Sequence, residues 1–274
     1  MSSSLIRATA LVAFASICVN AHGQQRPVND TGVISCTNEA WGAVSCESVN
    51  ATLPGQDAVY GRDALSIVGG NLNKVGTGRR GFDFTKIRLD GAVAAATATF
   101  GSGAGQYQCF RDNTTGLLWD AAAGNRSWRD PNPSTNGGFV GVEVAGNTTD
   151  VYIVETNTSN RCDRANWRLP TVREILSLMS LEVATAVWWA DISFIGGYPG
   201  GGADNLPSAY GVWTSQTNPA YPEHAFVVVP SKPGACLPYY PYSCSGNNPN
   251  AVVRKEEGST NKSTAKFTIL VSSQ

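Results

Sequence analysis

Short runs of apolar residues in alternating or β-branched patterns recur along the chain and predict many short strands. In the sequence FDFTKIRL, Phe82 and Phe84 lie on one parity, and Ile87 and Leu89 lie on the other. A strand with a bulge near Thr85 would bring both pairs to one face. Turns rich in glycine and asparagine separate further predicted strands at 117–119, 139–144, 151–154, 211–217, 225–230 and 266–272.

One segment carries a clear helix signal. Thr171 and Glu174 form a capping box, in which the hydroxyl accepts a hydrogen bond from the third helical amide and the carboxylate reaches back to the cap. Three apolar residues follow on one helical face: Ile175, Leu178 and Met179. We predict a helix from residue 172 to about 183. Together the patterns predict an α+β fold, a single compact disulfide-stapled domain with many short strands and one clear helix.

An apolar run at the start of the chain predicts export. Residues 1–21 combine one positive charge, an apolar stretch from 8 to 19 and small residues before a cleavage point at Ala21. These are the three parts of a secretory signal peptide, which is too short to remain as a membrane anchor. We therefore predict a signal peptide at 1–21, a flexible lead-in at 22–35 and the domain at 36–274, located in the periplasm, at the bacterial surface or in the medium.

The composition favours an ordered extracellular domain and excludes some partners. Removal of Arg7 with the signal peptide changes the formal net charge from −1 to −2, which argues against binding to nucleic acid. Charged residues make up 15% of the chain, and the 29 glycines and 14 prolines provide many turns. No run after the signal peptide is long and apolar enough to span a membrane.

Six of the seven cysteines remain after cleavage, and an even number in an exported chain predicts three disulfides. Short loops favour Cys36–Cys46 and Cys236–Cys244, because closing them costs little chain entropy. The pair Cys109–Cys162 then follows by elimination. No cysteine lies in a C-x-x-C pair, so we expect neither a zinc site nor a thioredoxin-like redox motif.

Three segments together carry the signature of a known family. They read DNTTGLLWD at 112–120, NWRLPTVREILSL at 166–178 and GVWTSQT at 211–217. In this order they resemble the Lcl C-terminal domain family, long catalogued as a domain of unknown function. The similarity extends over roughly residues 30–230, since the pieces at 36–46 and 81–87 resemble the lead-in of longer members. Residues 230–274 depart most from the family pattern.

The resemblance implies a secreted or surface-exposed domain whose α+β fold is distantly like that of C-type lectins. Some relatives serve adhesion to glycans, and no catalytic residue carries over from the family. Within the motifs we expect Trp119, Trp167 and Trp213 to be structural, as large apolar anchors of the core. Arg168 is expected to bond backbone carbonyls or a carboxylate inside the fold, because buried charges are usually paired.

A local excess of positive charge marks the first candidate binding surface. Residues 74–88 hold five basic side chains against Asp83: Lys74, Arg79, Arg80, Lys86 and Arg88. Such a run could hold a sulfate, a phosphate or an acidic glycan through charge-assisted hydrogen bonds. The alternative is an ordinary solvated hairpin.

A second candidate is the loop 234–246, in which Tyr239, Tyr240 and Tyr242 lie with prolines between two cysteines. A disulfide there would pre-organise aromatic faces for contact with a carbohydrate or a protein. The alternative is a loop folded over the core. The net negative charge of the chain favours this loop slightly over the basic run.

Two metal-dependent interpretations rest on few residues. Asp204 and Asn205 offer two oxygens to calcium, which takes about six or more. Cleavage after Ala21 would place His22 at the mature N-terminus, where its amine and ring could join His224 in a copper site like that of lytic polysaccharide monooxygenases. Two histidines are a weak signal, so we expect no metal, no cofactor and no enzymatic activity.

These observations predict a non-enzymatic binding domain that adheres to a glycan or a protein at the bacterial surface. The alternative is a structural or accessory subunit of a pilus or filament, which would dock onto other proteins or associate with itself. A copper oxidase that uses His22 is the lesser alternative.

Overall fold

The structure is a computed structural model that describes residues 29–30, 33, 35–40, 43–46, 53, 55–67, 72–134, 136–138, 140–141, 146–179, 211–219, 221–229, 252–255 and 266–273. The predictions for the signal peptide, His22, Asp204, the tyrosine loop and the pair Cys236–Cys244 lie outside these residues. Within the described ranges, no helix is long and apolar enough to cross a membrane.

The described residues include eleven short strands and three α-helices. The strands are β1 Cys36–Thr37, β2 Ala43–Val44, β3 Phe84–Ile87, β4 Cys109–Asp112, β5 Leu118–Asp120, β6 Gly124–Arg126, β7 Val212–Asn218, β8 Tyr221–Val229, β9 Val252–Lys255, β10 Lys266–Thr268 and β11 Val271–Ser272. The helices are α1 Gly61–Ile67, α2 Thr149–Thr158 and α3 Val172–Leu176, with 3-10 turns at Asp57–Val59 and Arg161–Asp163. The α+β class predicted from the sequence is confirmed.

The strands form one pair and two larger sheets. The four-stranded sheet has the order β11-β5-β4-β3, and all its neighbours are antiparallel. The five-stranded sheet has the order β6-β10-β7-β8-β9, in which only the β10–β7 contact is parallel. Strands β1 and β2 pair separately at the N-terminal strap.

Both faces of the four-stranded sheet are buried, which corrects the bulge predicted at Thr85. Strand β3 pairs with β4 in regular register from Phe84 to Ile87. Phe84 packs into one apolar cluster and Ile87 into another, on the opposite face. No bulge is needed, because each parity of the strand has its own core. Leu89 lies beyond the strand and is 45% exposed.

The two clusters are here called the phenylalanine cluster and the tryptophan cluster. The first contains Phe82, Phe84, Phe110, Trp119, Ile175, Met179, Val212 and Phe267 among its members. The second contains Ile87, Leu118, Trp128, Tyr152, Trp167, Trp213, Val227 and Leu270 among its members. Trp119, Trp167 and Trp213 are thus core anchors, as predicted from their size and context.

Residues 266–273, here called the closing segment, join the two sheets. Strand β10 lies between β6 and β7, and β11 lies between β5 and a bridge to Arg168. Every residue from Phe267 to Ser272 is buried. Phe267 and Val271 enter the phenylalanine cluster, whereas Leu270 enters the tryptophan cluster. The closing segment therefore packs into both apolar clusters.

Helix α2 replaces the strand that was predicted at 151–154. The prediction followed the β-branched residues of Val-Tyr-Ile-Val. In the structure Tyr152 and Thr156 are buried one helical turn apart, while Val154 is 62% exposed. Packing of one helical face against the tryptophan cluster outweighs the local β preference.

Helix α3 begins as predicted and ends earlier. The amide of Glu174 donates to Thr171 Oγ1, and the amide of Thr171 donates to Glu174 Oε2 at 2.8 Å, so both halves of the capping box form. The helix ends at Leu176 and not near 183. Leu178 and Met179 are buried in the turn that follows, where their amides bond carbonyls three residues back.

Two disulfides form among the described residues, and part of the lead-in is bonded to the domain. Cys36 joins Cys46, and Cys109 joins Cys162, the same two pairs that the sequence predicts. Within the lead-in, Asn29 is buried and its amide donates to Asp112 Oδ2 at 2.5 Å and to Ser177 O at 3.0 Å. Asn29, in the predicted lead-in, is therefore bonded to the domain before the predicted boundary at Cys36.

Candidate functional site

Residues 74–81, here called the basic loop, carry the first part of the predicted basic run. The buried carboxylate of Asp83 accepts hydrogen bonds from the amides of Val75 and Gly76 at 2.9 and 2.8 Å. Thr77 and Phe84 exchange backbone hydrogen bonds across the base of the loop. These contacts set the loop's shape in the free protein, so little order remains to be gained on binding.

Helix α1 fixes the other end of the basic loop at Gly81. Arg62 Nε donates to Gly81 O at 2.8 Å, and the Gly81 amide donates to Asp63 Oδ1 at 2.8 Å. The Phe82 amide donates to Arg79 O at 3.0 Å and closes a tight turn at the loop's tip. Arg80 lies in that turn with φ 53°, a left-handed conformation that costs a non-glycine residue about 1–2 kcal/mol.

The basic loop carries an exposed charged residue and an exposed apolar residue. Arg79 is exposed, and its guanidinium has no hydrogen bond or ion pair to the part of the chain that the structure describes. Val75 is 84% exposed on the same loop. Lys74 Nζ donates to Gly78 O at 2.6 Å and helps to hold the loop's shape.

The other two residues of the basic run are engaged within the fold. Lys86 Nζ donates to the carbonyls of Ala96 and Ala98 at 2.9 and 2.7 Å and lies 4.9 Å from the centre of the Tyr107 ring. Arg88 forms two hydrogen bonds with Asp90, which lowers the pKa of that exposed carboxyl. The fold therefore divides the predicted basic run: Lys74, Arg79 and Arg80 lie in the basic loop, and Lys86 and Arg88 lie outside it.

A second charged group lies at the edge of the tryptophan cluster. This Asp120 cluster consists of Asp120, Arg126, Tyr152 and Arg161. The Asp120 side chain is fully buried at the end of β5, and it accepts hydrogen bonds from the Tyr152 hydroxyl and from Arg161 Nη1, the latter at 3.0 and 3.2 Å. Burial raises the pKa of Tyr152, so the phenol stays protonated.

Left-handed backbone positions place Arg161 over this group. Asn160, Cys162 and Asp163 have φ between 49° and 59°. Asparagine and aspartate tolerate such angles, and Cys162 is tied to β4 by its disulfide to Cys109. Burial acts to lower the pKa of Arg161, but the contact with Asp120 outweighs it and the pKa is raised.

Arg126 contacts the rest of the Asp120 cluster through the Tyr152 ring. Its guanidinium lies 3.3 Å from the centre of the Tyr152 ring. Its Nη1 is buried, and the guanidinium donates no hydrogen bond to any residue within the described ranges. Burial disfavours the charged form of this guanidinium and lowers the pKa of Arg126.

Three carboxylates meet near α1. The oxygens of Asp30, Asp57 and Asp63 lie within 4.8 Å of one another. Asp30 Oδ2 accepts from the Asp63 amide at 3.0 Å, and Asp63 in turn accepts from Gly81. Three such oxygens are about half of what calcium takes, and their observed bonds already connect α1 to the basic loop.

The first sequence motif forms the turn between β4 and β5. Buried Asp112 accepts hydrogen bonds from the amides of Thr114 and Thr115 and from the Thr115 hydroxyl. Burial outweighs these bonds and raises the pKa of the Asp112 carboxyl. Gly116 completes the turn at φ 72°, where a side chain would be strained.

The second motif fastens α3 to the closing segment. Arg168 pairs through both guanidinium nitrogens with Glu174, at 2.8 and 2.6 Å, and its backbone pairs with Val271. The predicted internal partner of Arg168 is therefore a carboxylate, and Nη1 also reaches Leu169 O. Burial of Glu174 acts to raise its pKa, but the bonds to Arg168 and to the Thr171 amide outweigh it and the pKa is lowered.

The third motif connects the five-stranded sheet to its neighbours. Trp213 Nε1 donates to Arg126 O at 2.8 Å, and Gln216 Oε1 accepts from the first amide of α3, that of Val172, at 2.9 Å. The residues of all three motifs thus shape turns, a helix cap and the core. The sequence model of one family covers them together: the Lcl C-terminal domain model matches residues 108–254, more than half of the chain.

The chain belongs to the Lcl C-terminal domain family. No curated protein and no solved structure matches it. The matched Lcl C-terminal domain begins at β4 and ends within β9, so it contains the Asp120 cluster. The basic loop and the closing segment lie outside the match. Strand β3, which follows the basic loop, pairs with β4 of the matched region, and the closing segment pairs with β5, β6 and β7.

Sequence reasoning missed the Asp120 cluster of this Lcl C-terminal domain. Tyr152 and Arg161 lie 32 and 41 positions from Asp120, so no local spacing connects them. Their order along the chain carries no motif of the kinds used for metal or catalytic sites. His224 of the copper alternative is buried in β8, at 6% exposure.

Proposed function

We propose that this protein is an exported binding domain that adheres to a glycan or a protein through the basic loop. The observation that carries the proposal is the fixed shape of this loop, which presents exposed Arg79 at a turn that Asp83 and α1 hold from inside. A pre-organised loop loses little entropy on binding, so more of its contact energy remains as affinity.

Export is proposed from two observations that support each other. The N-terminal residues have the three parts of a signal peptide. The two disulfides are of the kind that persist in oxidising compartments outside the cytosol. An exported domain that carries a fixed basic loop is suited to anionic groups at a cell surface.

A protein partner is the second candidate, and it includes a filament in which this domain is a subunit. The exposure of Val75 at 84%, on the same loop as Arg79, favours this alternative because protein interfaces combine apolar contacts with arginine. The distant likeness to C-type lectins that the family resemblance implies is part of the proposal that the ligand is a glycan. The burial of His224 counts against the copper alternative.

The proposal is tested by adhesion of the exported chain to an array of neutral and acidic glycans. We expect Arg79→Ser with Arg80→Ser to weaken binding to the selected acidic glycan by about tenfold or more, since charge-assisted bonds contribute about 1.5–3 kcal/mol. The control removes two other arginines, by Arg164→Ser with Arg173→Ser, and should bind like the parent. Equal binding by both double variants would refute a role for the basic loop.

A further inference from the structure

The Asp120 cluster contains more positive than negative charge in its interior. Arg126 and Arg161 both lie over the Tyr152 ring, at 3.3 and 5.8 Å from its centre. The one buried carboxylate, that of Asp120, is bonded to Arg161 and to Tyr152. Because Tyr152 is neutral, Asp120 balances only one of the two guanidinium charges, and Arg126 forms no ion pair with a residue in the described ranges.

The guanidinium of Arg126 has no acceptor within the described residues, and an oxyanion would satisfy its donors. Arginine presents five N–H groups in a rigid planar fork, and those of Arg126 donate to no residue within the described ranges. The contact with the Tyr152 ring, 3.3 Å from its centre, limits where the fork can lie. Nη1 is buried, whereas the Arg126 residue as a whole is only half-buried.

Two neighbours affect the guanidinium of Arg126: Gly124 leaves space for it, and Glu155 places a negative charge near it. A Cβ placed on Gly124 would lie 3.0 Å from Arg126 Nη1, so the glycine permits this position of the guanidinium. Glu155 lies on the solvent side of α2, one turn after Tyr152, and is exposed. Its charge acts on Arg126 at a distance, screened by water.

We propose that Arg126, supported by Tyr152 and Arg161, binds a carboxylate group of a ligand. A planar carboxylate matches the fork of a guanidinium through two parallel hydrogen bonds. One uncompensated positive charge suits a monoanion, whereas a doubly charged sulfate or phosphate would leave excess negative charge beside Asp120 and Glu155. This site is separate from the basic loop in both sequence and supporting elements, and it does not rest on the function proposed above.

The test is a titration of the full disulfide-bonded chain with sodium acetate at constant ionic strength, followed by backbone and arginine side-chain NMR signals. We expect saturable shifts at Gly124, Arg126 and Tyr152 with acetate and weaker ones with sulfate. Arg126→Gln should weaken acetate binding about tenfold, and Arg126→Lys should weaken it less, since the charge is kept and the fork is lost. Glu155→Gln should strengthen it, because a competing negative charge is removed.

Three results would each overturn the proposal. Acetate could act no differently from chloride on the parent chain, Arg126→Gln could keep the parent's affinity for acetate, or sulfate could bind more tightly than acetate. If Arg126→Gln does not fold, the parent and Glu155→Gln titrations still decide the matter. A purely structural Arg126 would lower the denaturant midpoint of Arg126→Gln and leave the parent without an acetate response.

Discussion

Replacement of Phe267 by alanine measures how far the fold depends on the closing segment. Phe267 is 3% exposed, and its strand lies between β6 and β7, so neither neighbour can move in to fill the space. Truncation of a buried phenylalanine costs about 3–5 kcal/mol, and the cost rises where the cavity cannot collapse. We expect about 4 kcal/mol for Phe267→Ala.

Urea unfolding with the disulfides intact provides the assay. With an m-value of about 2–3 kcal/mol/M, this loss moves the midpoint down by about 1–2 M. Val154→Ala is the matched control, because Val154 is 62% exposed and its truncation should change stability by less than about 0.5 kcal/mol.

A midpoint of Phe267→Ala equal to that of the control would refute the packing described for the closing segment. If Phe267→Ala does not fold, Ile269→Val supplies a milder test. Ile269 is fully buried in the phenylalanine cluster, and loss of one methylene there should cost about 0.5–1.5 kcal/mol. No change in that variant would lead to the same conclusion.

Three further predictions concern the helix cap, its acid sensitivity and the disulfides. Thr171→Ala should cost about 1 kcal/mol in urea unfolding, because the Glu174 amide loses its acceptor; an unchanged midpoint would contradict the cap. The lowered pKa of Glu174 stabilises the fold above the carboxyl's unfolded pKa and is lost as pH falls through the folded value, so the advantage of the parent over Glu174→Gln should shrink between pH 7 and about pH 3. A constant difference over that range would contradict the ion pair with Arg168. Non-reducing peptide mapping should find Cys236 joined to Cys244 beside the two pairs of the structure, and free thiols or crossed pairs would show that prediction wrong.

Local sequence signals predicted the structure correctly where the interacting residues are close together in the sequence. The capping box at Thr171 and Glu174 is complete within four residues, and the structure contains both of its bonds. The short loop closed by Cys36 and Cys46 and the large buried tryptophans were also interpreted correctly. The family signature succeeded for a similar reason, since each of its three segments builds its own turn or cap.

Features set by distant packing could not be read from the sequence. Val-Tyr-Ile-Val is β-type by composition, and packing of Tyr152 in the tryptophan cluster favours the helix instead. The two parities of β3 indicated a bulge because a second apolar layer was not foreseen. The basic run does not form one surface, because Lys86 and Arg88 are hydrogen-bonded to Ala98 O and Asp90, contacts that the sequence does not predict.

The central claim is that the basic loop binds the partner, and its salt dependence tests this most directly. The measurement is the Kd for the glycan or protein selected by adhesion, at low and at high salt, for three chains: the parent, Arg79→Ser with Arg80→Ser, and Tyr239→Ala with Tyr240→Ala. Exposed charges are screened over about 10 Å at 0.1 M salt, so salt should weaken the parent. The arginine variant should bind weakly at both salts, and the tyrosine variant should follow the parent. Binding that depends on the tyrosines and is insensitive to salt would contradict the account.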